Sequence, residues 1–458
     1  MPPQTVRLYA SDGGPPRESF HLSNLPHAIL NRILSHLDKP TLYQVIRTNR
    51  RLFNSGMPHL YRKLILRSRN TRNLAALRRR PFLRDFVHVV IVHEHLIMDT
   101  QFMEFVAAEI SHLPNLKHLC IKAAFAMFYV NPGRHYVLLA DALQARPLRN
   151  LQSLEIGLSS DLPWDIGARE VIFTHPSLKS VSITGMKMHD FRTFKSEMAR
   201  TSPIQYLRLL CCDISPRALR KIMACPEGLR ELIFTGGRQH GLPEFTTTAY
   251  TSYIQALHQQ ARTLQKLHIG FWMVQTTPTG AQALDFSPFL NLRDLVLIPS
   301  FAPPEDGRGQ PVNLAGLSSV TSLPRSLVRF TLMHVFPGAV TVAEEEFIRQ
   351  LVIIWRAPGR LLPNLRFIVF ETPKHFGFQD NYPLPTECVR FEGRVQVTRT
   401  RTELVKAWPF ACYCCHFDTG VRVVDGVRVG TCPGYHALDG LWRHVNVVLG
   451  DNNGGTGQ

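Results

Sequence analysis

The feature that most constrains the fold is a short apolar pattern that recurs along most of the chain. An apolar residue is followed by two other residues, a second apolar residue, one other residue and a third apolar residue. The pattern returns at intervals of roughly 25 to 38 residues, a spacing typical of proteins that stack one supersecondary unit on the next. Its ten occurrences begin at Val87, Leu116, Leu151, Leu178, Ile204, Leu229, Leu264, Leu292, Leu327 and Leu365.

The spacing within each unit predicts a short strand. Side chains alternate across a strand, so the second and third apolar residues of a unit share one face. Burying three aliphatic residues contributes roughly 5 to 9 kcal/mol, whereas ordering one repeat costs at least about 25 kcal/mol of backbone entropy. A repeat is therefore stable only within a continuous array. We expect an α/β fold with a curved parallel sheet on the inside and helices or loops on the outside.

The repeat that begins at Ile204 predicts a helix after its strand. Ser215 is placed to cap a helix that starts at Pro216, because proline is tolerated in a first helical turn. We interpret Cys212 and Cys225 as small buried packing residues rather than redox or metal-binding groups. The residues expected on the inward face of this helix are Leu219, Ile222 and Met223.

A different periodicity marks the segment between Leu22 and Leu64. Apolar residues recur there at steps of three and four, which predicts amphipathic helices. Asn24 is placed to cap the first helix, and Pro40 lies in the break that ends it. Two further short apolar sets follow, so we expect three helices around a very small core.

The apolar and basic residues of this segment occur, in order, as Leu25-Pro26, Ile29-Leu30, Ile33-Leu34, Leu37-Asp38, Leu42, Arg50-Arg51-Leu52-Phe53, Pro58 and Leu60-Tyr61. Over about forty residues this pattern resembles an F-box. The resemblance implies binding to a Skp-family adaptor and, through it, to a cullin that carries a ubiquitin-conjugating machinery. The alternative is a small helical cap on the repeats. The residues assigned to partner binding are Leu25, Pro26, Ile29, Leu30, Ile33, Leu34, Leu37, Leu42 and Val45.

The repeats resemble irregular leucine-rich repeats, and the unit around Cys212 is close to the cysteine-containing subclass that is often joined to F-boxes. This resemblance implies a receptor that binds a protein client on the outward face of the sheet. Mixed charge with Tyr and Phe suits a protein client better than nucleic acid, although any one such residue can be merely solvated. The candidate client residues are Tyr206, Arg208, Glu231, Ile233, Lys266, His268, Asp294, Arg329 and Phe367.

The net charge of +17 is concentrated near the start of the repeats. Twelve Lys or Arg residues and no Asp or Glu lie between Arg47 and Arg84, with the densest point at Arg78-Arg79-Arg80. This stretch can be a solvated face, a localisation signal or a contact for an acidic partner. The second functional hypothesis is therefore a repeat scaffold outside ubiquitin ligation, with acidic or nucleic-acid partners.

Cysteine usage indicates free thiols, because nine Cys residues are spread over 458 positions. A carboxyl-terminal cluster contains zinc-capable side chains but lacks paired C-x-x-C knuckles, so we expect packing thiols and no cofactor. The weak metal candidates are Cys412, Cys414, Cys415, Cys432 and His436.

The sequence favours a non-catalytic intracellular protein. Nucleotide-binding glycine loops, the G-x-S-x-G nucleophile motif and the H-E-x-x-H zinc motif are absent from the sequence. No signal peptide or membrane span is apparent, so we expect the cytoplasm or nucleus and no membrane partner. The expected domains are residues 20–66 (F-box), 67–372 (repeats, with the basic connector at their start) and 373–450 (irregular cap). Disordered ends are expected at 1–19 and 451–458.

Overall fold

A computed structural model describes residues 22–67, 72–95, 100–124, 132–145, 148–157, 164–166, 169–236, 250–270, 284–298, 320–333, 361–371, 422–424 and 427–429. The chain divides into two compact units, Met1–Lys63 and Leu64–Gln458. The predicted first domain, residues 20–66, thus extends slightly past the first unit. Its last residues belong to a strand.

The described part of the first unit consists of three α-helices after a single 3-10 turn at Leu22–Asn24. The second helix begins where the Asp38 side chain accepts a hydrogen bond from the backbone N–H of Thr41. The third begins where Asn49 accepts one from the N–H of Arg51. Both contacts satisfy backbone donors that a helix leaves unpaired. The helices are α1 (His27–His36), α2 (Lys39–Ile46) and α3 (Arg50–Tyr61).

The core of the first unit is small and depends on a glycine. A Cβ atom added to Gly56 in α3 would lie 2.3 Å from Ile46 Cγ2 and 3.3 Å from Leu42 Cδ1. Glycine therefore lets α2 and α3 approach closely. The buried apolar side chains of the unit are Leu30, Leu34, Leu42, Ile46, Leu52 and Met57.

A 13-stranded sheet organises the second unit. Its main path runs β1-β2-β3-β4-β6-β8-β9-β10-β11-β12-β13, and the pairs from β2 to β13 along this path are parallel. These strands are β1 (Lys63–Arg67), β2 (Val89–His95), β3 (His118–Ala124), β4 (Ser153–Gly157), β6 (Ser180–Thr184), β8 (Tyr206–Ile214), β9 (Glu231–Gly236), β10 (Lys266–Gly270), β11 (Asp294–Ile298), β12 (Arg329–Met333) and β13 (Phe367–Glu371).

Two short strands lie off this path. β5 (Trp164–Asp165) pairs with β7 (Met186–Met188), and β7 also pairs with the end of β8. The indole N–H of Trp164 donates a hydrogen bond of 2.8 Å to the carbonyl of Thr184. Farther along the chain, an antiparallel pair is formed by β14 (Arg422–Val424) and β15 (Val427–Val429).

The sheet confirms the prediction that the second and third apolar residues of a unit point to the same, inward face. The second and third apolar residues of all ten units lie on strands, and the parallel pairing aligns them in two rows. Each fully buried aliphatic side chain contributes about 1.5–3 kcal/mol relative to exposure. The buried members of the first row are Val90, Leu119, Leu154, Val181, Leu207, Leu232, Leu267, Leu295 and Phe330.

In the described part of the second unit, α-helices connect some of these strands. The predicted helix after Ser215 is confirmed, because the Ser215 hydroxyl accepts a hydrogen bond from the N–H of Ala218 and the helix buries Leu219, Ile222 and Met223. The α-helices among the described residues of the second unit are α4 (Arg72–Arg79), α5 (Thr100–Ile110), α6 (Pro132–Ala145), α7 (Val171–Thr174), α8 (Pro216–Ala224) and α9 (Tyr250–Leu257). Short 3-10 helices occur at Pro81–Phe86, Ser196–Met198, His258–Gln260 and Val320–Ser322.

Side chains that precede the first apolar residue of a repeat bind the backbone of the repeat before it. We call these tether residues. The Asn150 amide donates to the carbonyl of Pro114 at 2.9 Å, and the Ser177 hydroxyl donates to the carbonyl of Leu151 at 2.8 Å. Each tether satisfies a loop carbonyl across a repeat boundary. The tether residues are Asn115, Asn150, Ser177, Asn291, Ser326 and Asn364.

None of the described helices is long and apolar enough to cross a membrane.

Candidate partner-binding surfaces

The nine residues assigned to partner binding in the first unit divide between its interior and its surface. Leu30, Leu34 and Leu42 are buried, so they hold the helices together and are not accessible to a partner. This corrects the assignment of those three. The physical reason is that the unit must fill its own core first, and one apolar stripe of α1 does so.

The other apolar stripe of α1 remains accessible. Ile29 is 50% exposed, and it lines a surface depression of about 430 Å³ together with Ala28, Arg32, Ile33 and His36. Of the remaining predicted residues, Pro26 is exposed, whereas Leu25, Ile33, Leu37 and Val45 are half-buried.

The structure adds two features to this surface that the apolar pattern did not indicate. Tyr43 on α2 is an exposed aromatic residue, with the Arg47 guanidinium 5.6 Å from its ring centroid. Arg51 of α3 donates a hydrogen bond of 2.8 Å to the carbonyl of Leu25. The segment before α1 is thereby attached to α3, which fixes the position of Pro26 next to the accessible stripe.

The outward face of the sheet brings together the predicted client residues in two rows. Backbone pairing places six of them in register across β8 to β13: Tyr206, Glu231, Lys266, Asp294, Arg329 and Phe367. Arg208 lies two positions along β8, next to this line. For Phe367 the described feature is the backbone position on β13.

Charges on this face largely satisfy one another. Arg208 Nη2 lies 3.5 Å from Glu231 Oε1, and Arg329 Nε lies 3.9 Å from Asp294 Oδ1. Exposed pairs of this kind contribute at most about 1 kcal/mol each, but they lower the net charge available to a partner. A client on this face would meet an alternating, nearly neutral surface.

Two of the predicted client residues are not accessible. Ile233 is 5% exposed and His268 is 3% exposed. The residues in register with them on the next two strands, Val296 and Thr331, are also buried. Alternation along a strand predicts the direction of a side chain but not what covers it. We therefore withdraw Ile233 and His268 from the candidate surface.

Part of the basic stretch has a structural role. Glu109 on α5 has a side chain only 6% exposed, and it is paired with Arg78 at 2.6 Å and Arg84 at 2.9 Å. The Arg78 guanidinium also lies 3.7 Å from the ring centroid of Phe105. These two arginines neutralise a buried carboxylate and are less available to an external acidic partner, whereas Arg79 and Arg80 are exposed.

Two of the thiols placed by the structure are suited to packing. Cys212 and Cys225 are buried as predicted, and burial raises the pKa of Cys225 to about 12. Burial also raises the pKa of the Cys212 thiol. A thiol that stays protonated is a poor nucleophile and a poor metal ligand.

Within the described ranges, no group of three His, Cys, Asp or Glu side chains could hold a metal ion. The weak metal candidates Cys412, Cys414, Cys415, Cys432 and His436 lie outside the described residues.

No protein-family model matches the chain, and comparison with curated proteins gives no match either.

Proposed function

We propose that this chain is a non-catalytic substrate-recognition adaptor of an SCF-type ubiquitin ligase. In this proposal the first unit is an F-box that binds a Skp-family adaptor, which connects it to a cullin. The second unit is an irregular leucine-rich-repeat array that binds a protein client. The observation that carries the proposal is the accessible apolar stripe of α1 beside the Leu25-Pro26 segment.

The accessible stripe supports partner binding because it is left over after the core of the unit is filled. Ile29 is half exposed, and the neighbouring Ile33 lines the same depression. Burying each such side chain in an interface contributes about 1.5–3 kcal/mol before the costs of association. The resemblance of the same segment to an F-box implies that the partner is a Skp-family adaptor.

The second unit supports the repeat part of the proposal through its regularity. Ten strands pair in parallel with their apolar residues in register, and side-chain tethers join consecutive repeats. Arrays of this type present one continuous face to a partner. The chemistry of a receptor requires only such a face, with no catalytic group.

Co-purification of the full chain with a Skp-family adaptor tests the proposal. We expect wild-type protein to bind and Ile29→Asp to lose most of the binding, because a carboxylate would have to be desolvated in the interface. Ile65→Asp is the matched control, since Ile65 is an exposed isoleucine on β1. The adaptor proposal fails if the wild-type chain does not bind, or if the two variants bind equally well.

A further inference from the structure

The residue directly before each of the ten strands that pair in parallel along the main path, from β2 to β13, belongs to an ordered line, which we call the amino-edge row. The carbonyl of each member accepts hydrogen bonds from the next member and, in most cases, from the residue after it. For example, the carbonyl of Arg230 accepts from the N–H groups of Gln265 and Lys266 at 2.8 and 3.0 Å. The ten members are His88, Lys117, Gln152, Lys179, Gln205, Arg230, Gln265, Arg293, Val328 and Arg366.

The composition of this row is strongly biased. It contains no Asp or Glu, and a Lys or Arg occupies every second position from β3 onward, mostly with Gln between. Across the described parts of the chain, these cations have no ion-pair partner. The exposed cations of the row are Lys117, Lys179, Arg230, Arg293 and Arg366.

The sheet sets the spacing of these charges. Neighbouring strands lie about 4.8 Å apart, so cations on alternate strands are separated by roughly 10 Å at their backbones, and the five extend over about 38 Å. This separation slightly exceeds the screening length of about 8 Å at physiological salt, so neighbouring cations repel each other only weakly and each can pair separately with a carboxylate of one bound chain. The outward face differs, because its Arg208, Glu231, Asp294 and Arg329 are paired with one another.

A groove adjoins the middle of the row. It encloses about 480 Å³ and is lined in part by Gln205, Arg230 and Gln265 of the row and by Arg262 beside it. Glu227 is the one acidic residue in the lining. The groove thus combines two cations with the amide groups of two glutamines.

We propose that the amino-edge row binds an extended acidic segment of a partner protein. The cations are complementary to Asp and Glu side chains, and the Gln amides between them can donate to and accept from a peptide backbone. Nonspecific readers of single-stranded nucleic acid stack bases on aromatic rings, and the row contains no Phe, Tyr or Trp. The binding of an acidic segment does not depend on the proposed function. Only the assignment of that segment to a ubiquitination client rests on it.

Fluorescence anisotropy with the full chain tests this site directly. The probe is a fluorescein-labelled peptide of about 12 residues with alternating Glu and Gly, which spans about 40 Å when extended. The control peptide carries Gln in place of Glu. We expect the Glu peptide to bind at low salt, at least about tenfold more tightly than the Gln peptide, and to weaken as salt rises.

Two triple variants distinguish an effect of the row from an effect of net charge alone. Lys179→Glu, Arg230→Glu and Arg293→Glu reverse the centre of the row, and the expected loss of affinity is about tenfold or more. Arg192→Glu, Lys195→Glu and Arg220→Glu make the same change in charge at exposed positions outside the row. This control variant should retain most of the affinity.

Three results would overturn the proposal: no binding of the Glu peptide at low salt, equal loss in both triple variants, or tighter row-dependent binding of a poly-uridine oligonucleotide. The last would assign the row to nucleic acid instead. Co-purification with a Skp-family adaptor should be unchanged in the row variant. A failure here is therefore distinguishable from a failure of the adaptor proposal.

Discussion

Ile29 and Leu30 are neighbours on α1, yet Ile29 is 50% exposed and Leu30 is 0% exposed. Consecutive helical residues are about 100° apart around the axis, so two apolar residues in sequence can serve two different purposes. One contributes to the core of the first unit and the other to its accessible stripe. Stability and partner binding should therefore respond to different substitutions.

Alanine substitutions at these two positions should separate the two roles. Leu30→Ala should lower the free energy of unfolding of the first unit by about 2–5 kcal/mol, because it leaves a cavity in a small core. Ile29→Ala should change it by about 0.5 kcal/mol or less while weakening binding to a Skp-family adaptor. Hydrogen exchange of the α1–α3 amides measures the stability of this unit within the full chain. Similar losses of protection in both variants would contradict the prediction.

Gly56→Ala should destabilise the first unit although alanine is the better helix former. The new Cβ would lie 2.3 Å from Ile46 Cγ2, and a β-branched side chain in a buried position cannot easily move away. We expect a loss of about 1–3 kcal/mol, measured by hydrogen exchange or by urea unfolding. Gly228→Ala is the matched control, because its nearest neighbour would be Thr263 Cγ2 at an ordinary 3.7 Å. Unchanged exchange in Gly56→Ala would show that α2 and α3 can separate at little cost.

Glu109→Gln should destabilise the second unit. The substitution keeps the shape of the side chain but removes the charge that pairs with Arg78 and Arg84. We expect a loss of about 1–3 kcal/mol in urea unfolding, mostly from Arg84, since Arg78 is half exposed. Glu197→Gln makes the same change at an exposed position and should have little effect. Equal stabilities of the two variants would mean that the arginines find other partners.

Stability should also depend on pH through His175. This side chain is buried, and burial lowers the pKa of its imidazole from the ordinary 6.5. The folded protein therefore binds this proton more weakly than the unfolded chain does. The resulting stabilisation is present above pH 6.5 and is lost as pH falls through the lowered pKa. Between about pH 8 and pH 5, the midpoint temperature of thermal unfolding should fall less for His175→Gln than for wild type. Parallel profiles would exclude His175 as a source of the pH dependence.

The sequence predicted the sheet well because each strand carries its own signal. In units such as Leu151, Leu154 and Ile156, three apolar residues at fixed spacing define both the strand and its inward face. β5 and β7 were missed because two or three residues are too short to show a periodicity. The predicted cap at Asn24 was wrong: α1 begins at His27, and no side-chain hydrogen bond caps it.

The candidate surfaces were harder to predict, because a pattern shows which residues are apolar but not which are covered. Leu30 and Leu34 carry the same signal as Ile29 and Ile33, and only packing separates them. The amino-edge row has a sequence signal, since its members occupy the second position of each unit. That signal becomes visible only when ten units with unequal intervals are aligned. Arg230 and Arg293, for example, are unremarkable until their strands are placed side by side.

The tether at Asn150 offers a direct measure of coupling between repeats. Asn150→Ala removes the hydrogen bond to the carbonyl of Pro114 and should cost about 1 kcal/mol of stability in urea unfolding. Arg149→Ala, at the exposed neighbouring position, should cost much less. No difference between the two would indicate that water replaces the amide without loss.

The tethers bear on the order in which the repeats can fold during synthesis. Asn115, Asn150 and Ser177 each reach back to a loop that was synthesised earlier, so none waits for a residue that follows it in the chain. A repeat leaving the ribosome finds its docking carbonyl already in place on the repeat before it. These backward contacts favour assembly of the array from the amino end onward during translation.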